Sequence, residues 1–164
     1  MHTYFINIGS NKGARRLNVA RAVSAVGDVF GDRTGNPETD CHTSHIVETP
    51  AQGFESANDF LNIGMCFQSD LRPEEVLKKL QEIEGLIDGA SHRNPDGTYR
   101  DRVIDIDILA IDNLVIDTPD LTVPHPRLPE RDFYLRPLDE LAPAWRHPRL
   151  HQTPAEMLAG LLPQ

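Results

Sequence analysis

Cysteine is scarce in this chain: Cys41 and Cys66 are the only two in 164 residues, and neither belongs to a C-x-x-C pair. Two isolated cysteines exclude a disulfide framework and a cysteine-built zinc module. Long apolar runs are missing too. No segment approaches the ~20 apolar residues of a membrane-spanning helix, and Met1-His2-Thr3-Tyr4 carries no signal-peptide pattern. A soluble protein of the reducing cytoplasm, with no membrane partner, is expected. Positive charge is in deficit as well. The net charge of −9 leaves no general basic face for nucleic acid, so none is expected as a partner. With 39% apolar and 25% charged residues, the composition is that of an ordinary globular protein. A length of 164 residues suits one domain over 1–164 with its own core.

Against this background one segment stands out. Arg102-Val103-Ile104-Asp105-Ile106-Asp107-Ile108-Leu109-Ala110 sets two carboxylates inside an apolar strand pattern. Strand side chains alternate with period two, so Asp105 and Asp107 share one face while Ile104, Ile106 and Ile108 face a core. Their Cβ atoms then stand roughly 7 Å apart, at about 3.3 Å per residue. Removing ionised carboxylates from water is costly without a compensating cation. A hard cation between them, with Arg102 meeting anionic oxygen, answers that cost. Six of the sixteen Lys and Arg residues lie between Arg93 and Arg136, and all six are arginine, the side chain suited to forked recognition of phosphate. Salt-bridged aspartates and scattered surface arginines are the plain alternative.

The periodicity predicts a strand over residues 3–8, ending at Gly9-Ser10-Asn11. A helix over residues 13–26 follows, with Leu17, Ala20, Val23 and Ser24 on its stripe and Gly27 as its stop. Residues 41–48 and 60–68 read as two more strands. Pro73-Glu74-Glu75 opens a second helix, with proline first and acids in the first turn. Its apolar stripe is Val76, Leu77, Leu80, Ile83 and Ile87. A long loop over residues 89–101 leads to the carboxylate strand, and Asp112-Asn113 turns that strand into Leu114-Val115-Ile116. Eight of the thirteen prolines lie between Pro119 and Pro154. The apolar residues among them argue for packed structure, with a short helix over residues 154–161. The expected fold is α+β: a ferredoxin-like βαββαβ antiparallel sheet with both helices on one face, and a C-terminal extension. The other face is left for a site.

The residues resemble a known family. Asp101-Arg102-Val103-Ile104-Asp105-Ile106-Asp107-Ile108, then Leu121-Thr122-Val123-Pro124-His125 and Arg131-Asp132-Phe133, carry the likeness. So do Gly9-Ser10-Asn11, Thr49-Pro50 with Phe60-Leu61-Asn62, Gln81 with Glu84, and Pro137-Leu138-Asp139-Glu140-Leu141-Ala142-Pro143. Together they resemble 6-hydroxymethyl-7,8-dihydropterin pyrophosphokinases of folate biosynthesis. That resemblance implies pyrophosphate transfer from ATP to the pterin hydroxymethyl oxygen, with AMP leaving. It implies Asp105 and Asp107 as ligands of two Mg²⁺ ions, either being a candidate proton acceptor, with Arg102 beside them as a catalytic residue. The pterin would stack between Phe60 and Phe133, be read by Asn62, meet Thr49, Pro50 and Gln52 through backbone, and be capped by Tyr99. ATP would meet Gln81, Glu84, Arg102, Thr122, His125 and Arg131.

Four features depart from the family's pattern, one being a loop over residues 89–101 longer than in its short bacterial members. Gly85-Leu86-Ile87-Asp88 stands where a Gly-Arg-x-Arg run is common, and Arg93 and Arg100 are the expected substitutes. Asp120 precedes Leu121 where an arginine is frequent, and Pro126 follows His125 in place of an aromatic. Small-molecule substrates and a monomer are expected. The rivals are a two-metal transferase acting on another hydroxyl, an RNA-binding sheet face, and a pterin binder without turnover. The paired phenylalanines oppose the first, and the acidic face opposes the second.

Overall fold

A computed structural model describes residues 1–31, 41–49, 59–88 and 103–162. Strand β1 (His2–Ser10) lies between β4 (Phe60–Ser69) and β5 (Asp105–Ile111), antiparallel to both. Two short strands, β2 (His42–Thr43) and β3 (Val47–Thr49), pair with β4, so the path across the sheet is β2-β4-β1-β5. Helix α1 (Arg15–Phe30) joins β1 to this outer edge, and α2 (Pro73–Ile87) joins β4 to β5. Both helices contribute to one core, with Tyr4, Ile6 and Ile8 of β1 against Val19, Ala22, Val76, Leu80 and Ile83. Among the described residues no helix is long and apolar enough to cross a membrane.

Three expectations are corrected. The first helix does not stop at Gly27 but continues to Phe30, whose ring stacks on Phe67 with centroids 4.2 Å apart. Burying a phenylalanine is worth about 1.5–3 kcal/mol, which exceeds the roughly 1 kcal/mol that a helical glycine costs. The buried stripe is therefore Val19, Ala22, Val26 and Phe30, and Leu17 is left exposed. The strand over 41–48 is broken in two. Between the pairs Thr43–Met65 and Val47–Asn62, four steps on one strand face three on the other. The extra residue makes a bulge, in which the Ser44 hydroxyl accepts from the Gly64 N–H at 2.8 Å. Lastly, the segment Leu114-Val115-Ile116 yields only a two-residue strand. β6 (Ile116–Asp117) pairs with β7 (Thr122–Val123) as a separate ribbon.

The second sheet face is not left open throughout. Helix α3 (Asp132–Leu141) follows a 3-10 turn (Leu128–Glu130) and packs there, joined by α4 (Pro154–Ala159). Leu128, Tyr134, Leu135, Leu138 and Met157 form a second core with Phe5, Leu109 and Ala110. Density of proline obscures α3 in the sequence, since Pro137 lies inside the helix. The contact is close: a Cβ on Gly64 would lie 2.6 Å from Pro137 Cβ. A second bulge, in β5, lets Leu109 and Ala110 both reach this core, because Phe5 pairs with Ala110 but Ile6 with Ile108.

Candidate active site

The uncovered part of that second face starts where α3 begins. Asp105 sits opposite Gly9, and Gly9 opposite Asn62. One row further in, Asp107 sits opposite Asn7, and Asn7 opposite Gly64. Ile106 and Ile108 point into the first core while both aspartates stay half-buried on the other side. The alternation expected of the carboxylate strand is thus the one observed.

Each carboxylate row has its own surroundings. Around Asp107, the Tyr134 hydroxyl donates to Oδ2 at 2.6 Å, and Arg131 donates to the same hydroxyl at 2.8 Å. His125 meets Tyr134 edge-on at 5.1 Å, and its backbone N–H donates to the Leu109 carbonyl of β5 at 2.9 Å. Burial holds the His125 imidazole below its ordinary range; Asp107 pulls the other way, and Arg131 and Arg127 add to the lowering. Burial likewise pushes the Tyr134 phenol well up, reinforced by Asp107. Phe133 lies in the first turn of α3, half-buried, with the Arg131 guanidinium 5.7 Å from its ring centre.

Around Gly9 the environment is aromatic and amide-lined. A Cβ there would touch Asn62 Oδ1 at 3.0 Å and approach the Phe60 ring at 3.8 Å, so a larger residue would press on the Asn62 amide. Asn62 is buried and donates to the Thr49 hydroxyl at 3.4 Å. Asn7, also buried, donates to the Phe133 carbonyl at 3.4 Å, while its own Oδ1 has no partner among the described residues. The Phe60 ring thus borders Gly9 and the Phe133 backbone borders Asn7, two residues apart on β1.

Other expected residues lie further out. Glu84 on α2 accepts from the Ile106 N–H at 2.9 Å, clamping the strand between its two aspartates. Gln81 and Thr122 are exposed, on α2 and β7, and among the described residues no side-chain hydrogen bond joins them to the aspartates. Pro50, Gln52, Arg93, Tyr99, Arg100 and Arg102 lie outside the described residues. Sequence reasoning did not single out Tyr134 or Asn7. A lone asparagine in Tyr4-Phe5-Ile6-Asn7-Ile8 was the available signal for one, while Tyr134 is indistinguishable from a core aromatic.

The segment that builds both rows also carries the family likeness. Residues 5–143 match the 7,8-dihydro-6-hydroxymethylpterin-pyrophosphokinase (HPPK) family. The chain belongs to this family. A 2-amino-4-hydroxy-6-hydroxymethyldihydropteridine pyrophosphokinase of Porphyromonas gingivalis is 36% identical over 149 residues, covering 90% of this chain and 95% of the relative. The folic acid synthesis protein FOL1 of Dictyostelium discoideum is 34% identical over 168 residues, covering 94% of this chain and 25% of that longer protein. The fold is similar to that of a Plasmodium falciparum HPPK-DHPS crystal structure. The TM-score is 0.69 at 13% identity, over 97% of this chain and 44% of that one.

Proposed function

We propose that this pyrophosphokinase transfers pyrophosphate from ATP to the hydroxymethyl group of 6-hydroxymethyl-7,8-dihydropterin in folate biosynthesis, using Asp105 and Asp107 as its metal-bearing centre. The observation that carries the reading is the pair of half-buried carboxylates facing one way from β5, inside the segment that matches the family. The new bond joins the pterin hydroxymethyl oxygen to the β-phosphorus, the bridge to the α-phosphate breaks, and AMP departs.

Asp105 and Asp107 would hold two Mg²⁺ ions. The donor set fits, since Mg²⁺ takes hard oxygen ligands and commonly uses one or two carboxylates with water and substrate phosphates. Among the described residues no group of three His, Cys, Asp or Glu side chains converges, so substrate and water would complete the coordination. When bound, the ions supply charge neutralisation for the phosphates and acidify the acceptor hydroxyl. The residues do the rest. Arg131 and His125 border the carboxylates on the nucleotide side, with Glu84, Gln81, Thr122, Arg93, Arg100 and Arg102 completing it. Phe60 and Phe133 would take the pterin between them. Asn62 would read the pterin's amide edge, with Thr49, Pro50, Gln52 and Tyr99 around it.

We also read the β2-β4-β1-β5 order, antiparallel at every pairing, as the ferredoxin-like βαββαβ arrangement. The chain's own helices cover one sheet face and part of the other, which supports a single-domain monomer. Asp107→Ala tests the metal-bearing role. The variant should keep its circular dichroism and lose pterin pyrophosphate formation, and normal turnover would end the account.

A further inference from the structure

Tyr134 is 3% exposed yet places a hydroxyl in the site. The direction of its hydrogen bonds is fixed by the partners. Arginine has only donors, so at 2.8 Å the Arg131 N–H must donate to the phenolic oxygen. The single phenolic proton is then directed to Asp107 Oδ2, 2.6 Å away. The ring itself is clamped: Phe133 packs edge-on at 4.9 Å, His125 at 5.1 Å, and the Arg131 guanidinium lies 5.1 Å from its centre. A side chain held on three sides cannot swing its hydroxyl away without repacking the start of α3.

We propose that Tyr134 is a positioning residue for Asp107, fixing the carboxylate for its metal and coupling it to the arginine that faces the nucleotide. The proposal rests on the reading of Asp107 as a metal ligand. The geometry commits one oxygen of Asp107, and with it the carboxylate plane, to a donor on a different element. A carboxylate on a strand keeps rotational freedom about its terminal bond; here α3 removes it. Outer partners of this kind typically change metal affinity or activity 10- to 100-fold when lost. The same hydroxyl receives Arg131, so an anion drawn to Arg131 and a cation drawn to Asp107 act on one two-bond chain.

Tyr134→Phe isolates the hydroxyl, because the ring and its three contacts remain. The readout is Mn²⁺ affinity by electron paramagnetic resonance, without turnover, in the presence of α,β-methylene-ATP. Wild type, Tyr134→Phe and Asp107→Ala are compared as full chains, with unchanged circular dichroism as the check on folding. The expected result is loss of tight Mn²⁺ binding in Asp107→Ala and a 10- to 100-fold weaker affinity in Tyr134→Phe. Raising Mg²⁺ should also restore most of kcat in Tyr134→Phe, which damage to packing alone would not allow. Wild-type Mn²⁺ affinity in Tyr134→Phe, with binding lost in Asp107→Ala, overturns the positioning role and leaves the metal reading standing. Wild-type affinity in both variants overturns the two together.

Discussion

Single side chains give the second sheet face its character. Four polar residues, Asn7, Asn62, Asp105 and Asp107, replace what would be apolar positions across β1, β4 and β5. Three are held by named partners: Asn7 by the Phe133 carbonyl, Asn62 by Thr49, Asp107 by Tyr134. Because Phe133 is only half-buried and lies in the first turn of α3, truncating it should spare the fold and remove a stacking surface. Phe133→Ala is expected to weaken pterin binding by about tenfold or more, in line with the 0.5–1.5 kcal/mol of an aromatic pair plus its buried area. ATP binding should change far less. Calorimetric titration of each ligand checks this, and equal losses would argue against a sandwich. The two aspartates were legible in the sequence because charge in an apolar period-two pattern is rare. Tyr134 was not, since only tertiary structure reveals which end of a buried phenol meets a polar partner.

Among elements, β5 and α3 do most to shape the site. The edge of β5 is closed by α2 through Glu84, whose carboxylate takes the Ile106 N–H. Leaving that donor unpaired should cost about 1–3 kcal/mol, so Glu84→Ala is expected to lower the unfolding free energy by that order and slow turnover. Urea denaturation measures the first; an unchanged midpoint would show that the clamp contributes nothing. Helix α3 depends on Gly64, where an added methyl would overlap Pro137. Gly64→Ala should therefore push α3 away from β4 and destabilise by about 1–3 kcal/mol, read as a lower Tm together with weakened pterin binding. A wild-type Tm would contradict the close approach. Helix α2 was readable from its proline, acids and apolar stripe because local and tertiary preferences agree there. In α1 they disagree at Gly27, and the stacking of Phe30 on Phe67 decides its length. Helix α3 was hidden because Pro137 breaks the usual pattern.

Across the whole molecule, two histidines link stability to pH. His147 is buried, and its Nδ1 accepts from the Arg149 and Leu150 N–H groups at 3.1 and 3.2 Å. His125 Nδ1 accepts from the Arg127 N–H at 3.1 Å. Accepting at Nδ1 requires that nitrogen unprotonated, and burial lowers both imidazoles from the ordinary 6.5. The unfolded chain therefore binds protons more readily than the folded one below about pH 6.5. Their stabilising contribution is complete above that value and declines as pH falls toward the lowered folded pKa. The Tm should fall between pH 7.5 and 5.5, and a flat profile would contradict the assignment. A mixed fold of helices on an antiparallel sheet, with helices on one face, could be anticipated from the β-α-β-β-α-β pattern. The covering of its second face could not, because it depends on a proline-rich tail folding back onto Phe5 and Leu109.

The central claim is that this face transfers pyrophosphate rather than a single phosphoryl group, and to a pterin. Nucleotide products from ATP and Mg²⁺, with and without 6-hydroxymethyl-7,8-dihydropterin, test it most directly. AMP formed only when the pterin is present is the predicted result. ADP as the product, or AMP formed regardless of the pterin, would contradict it.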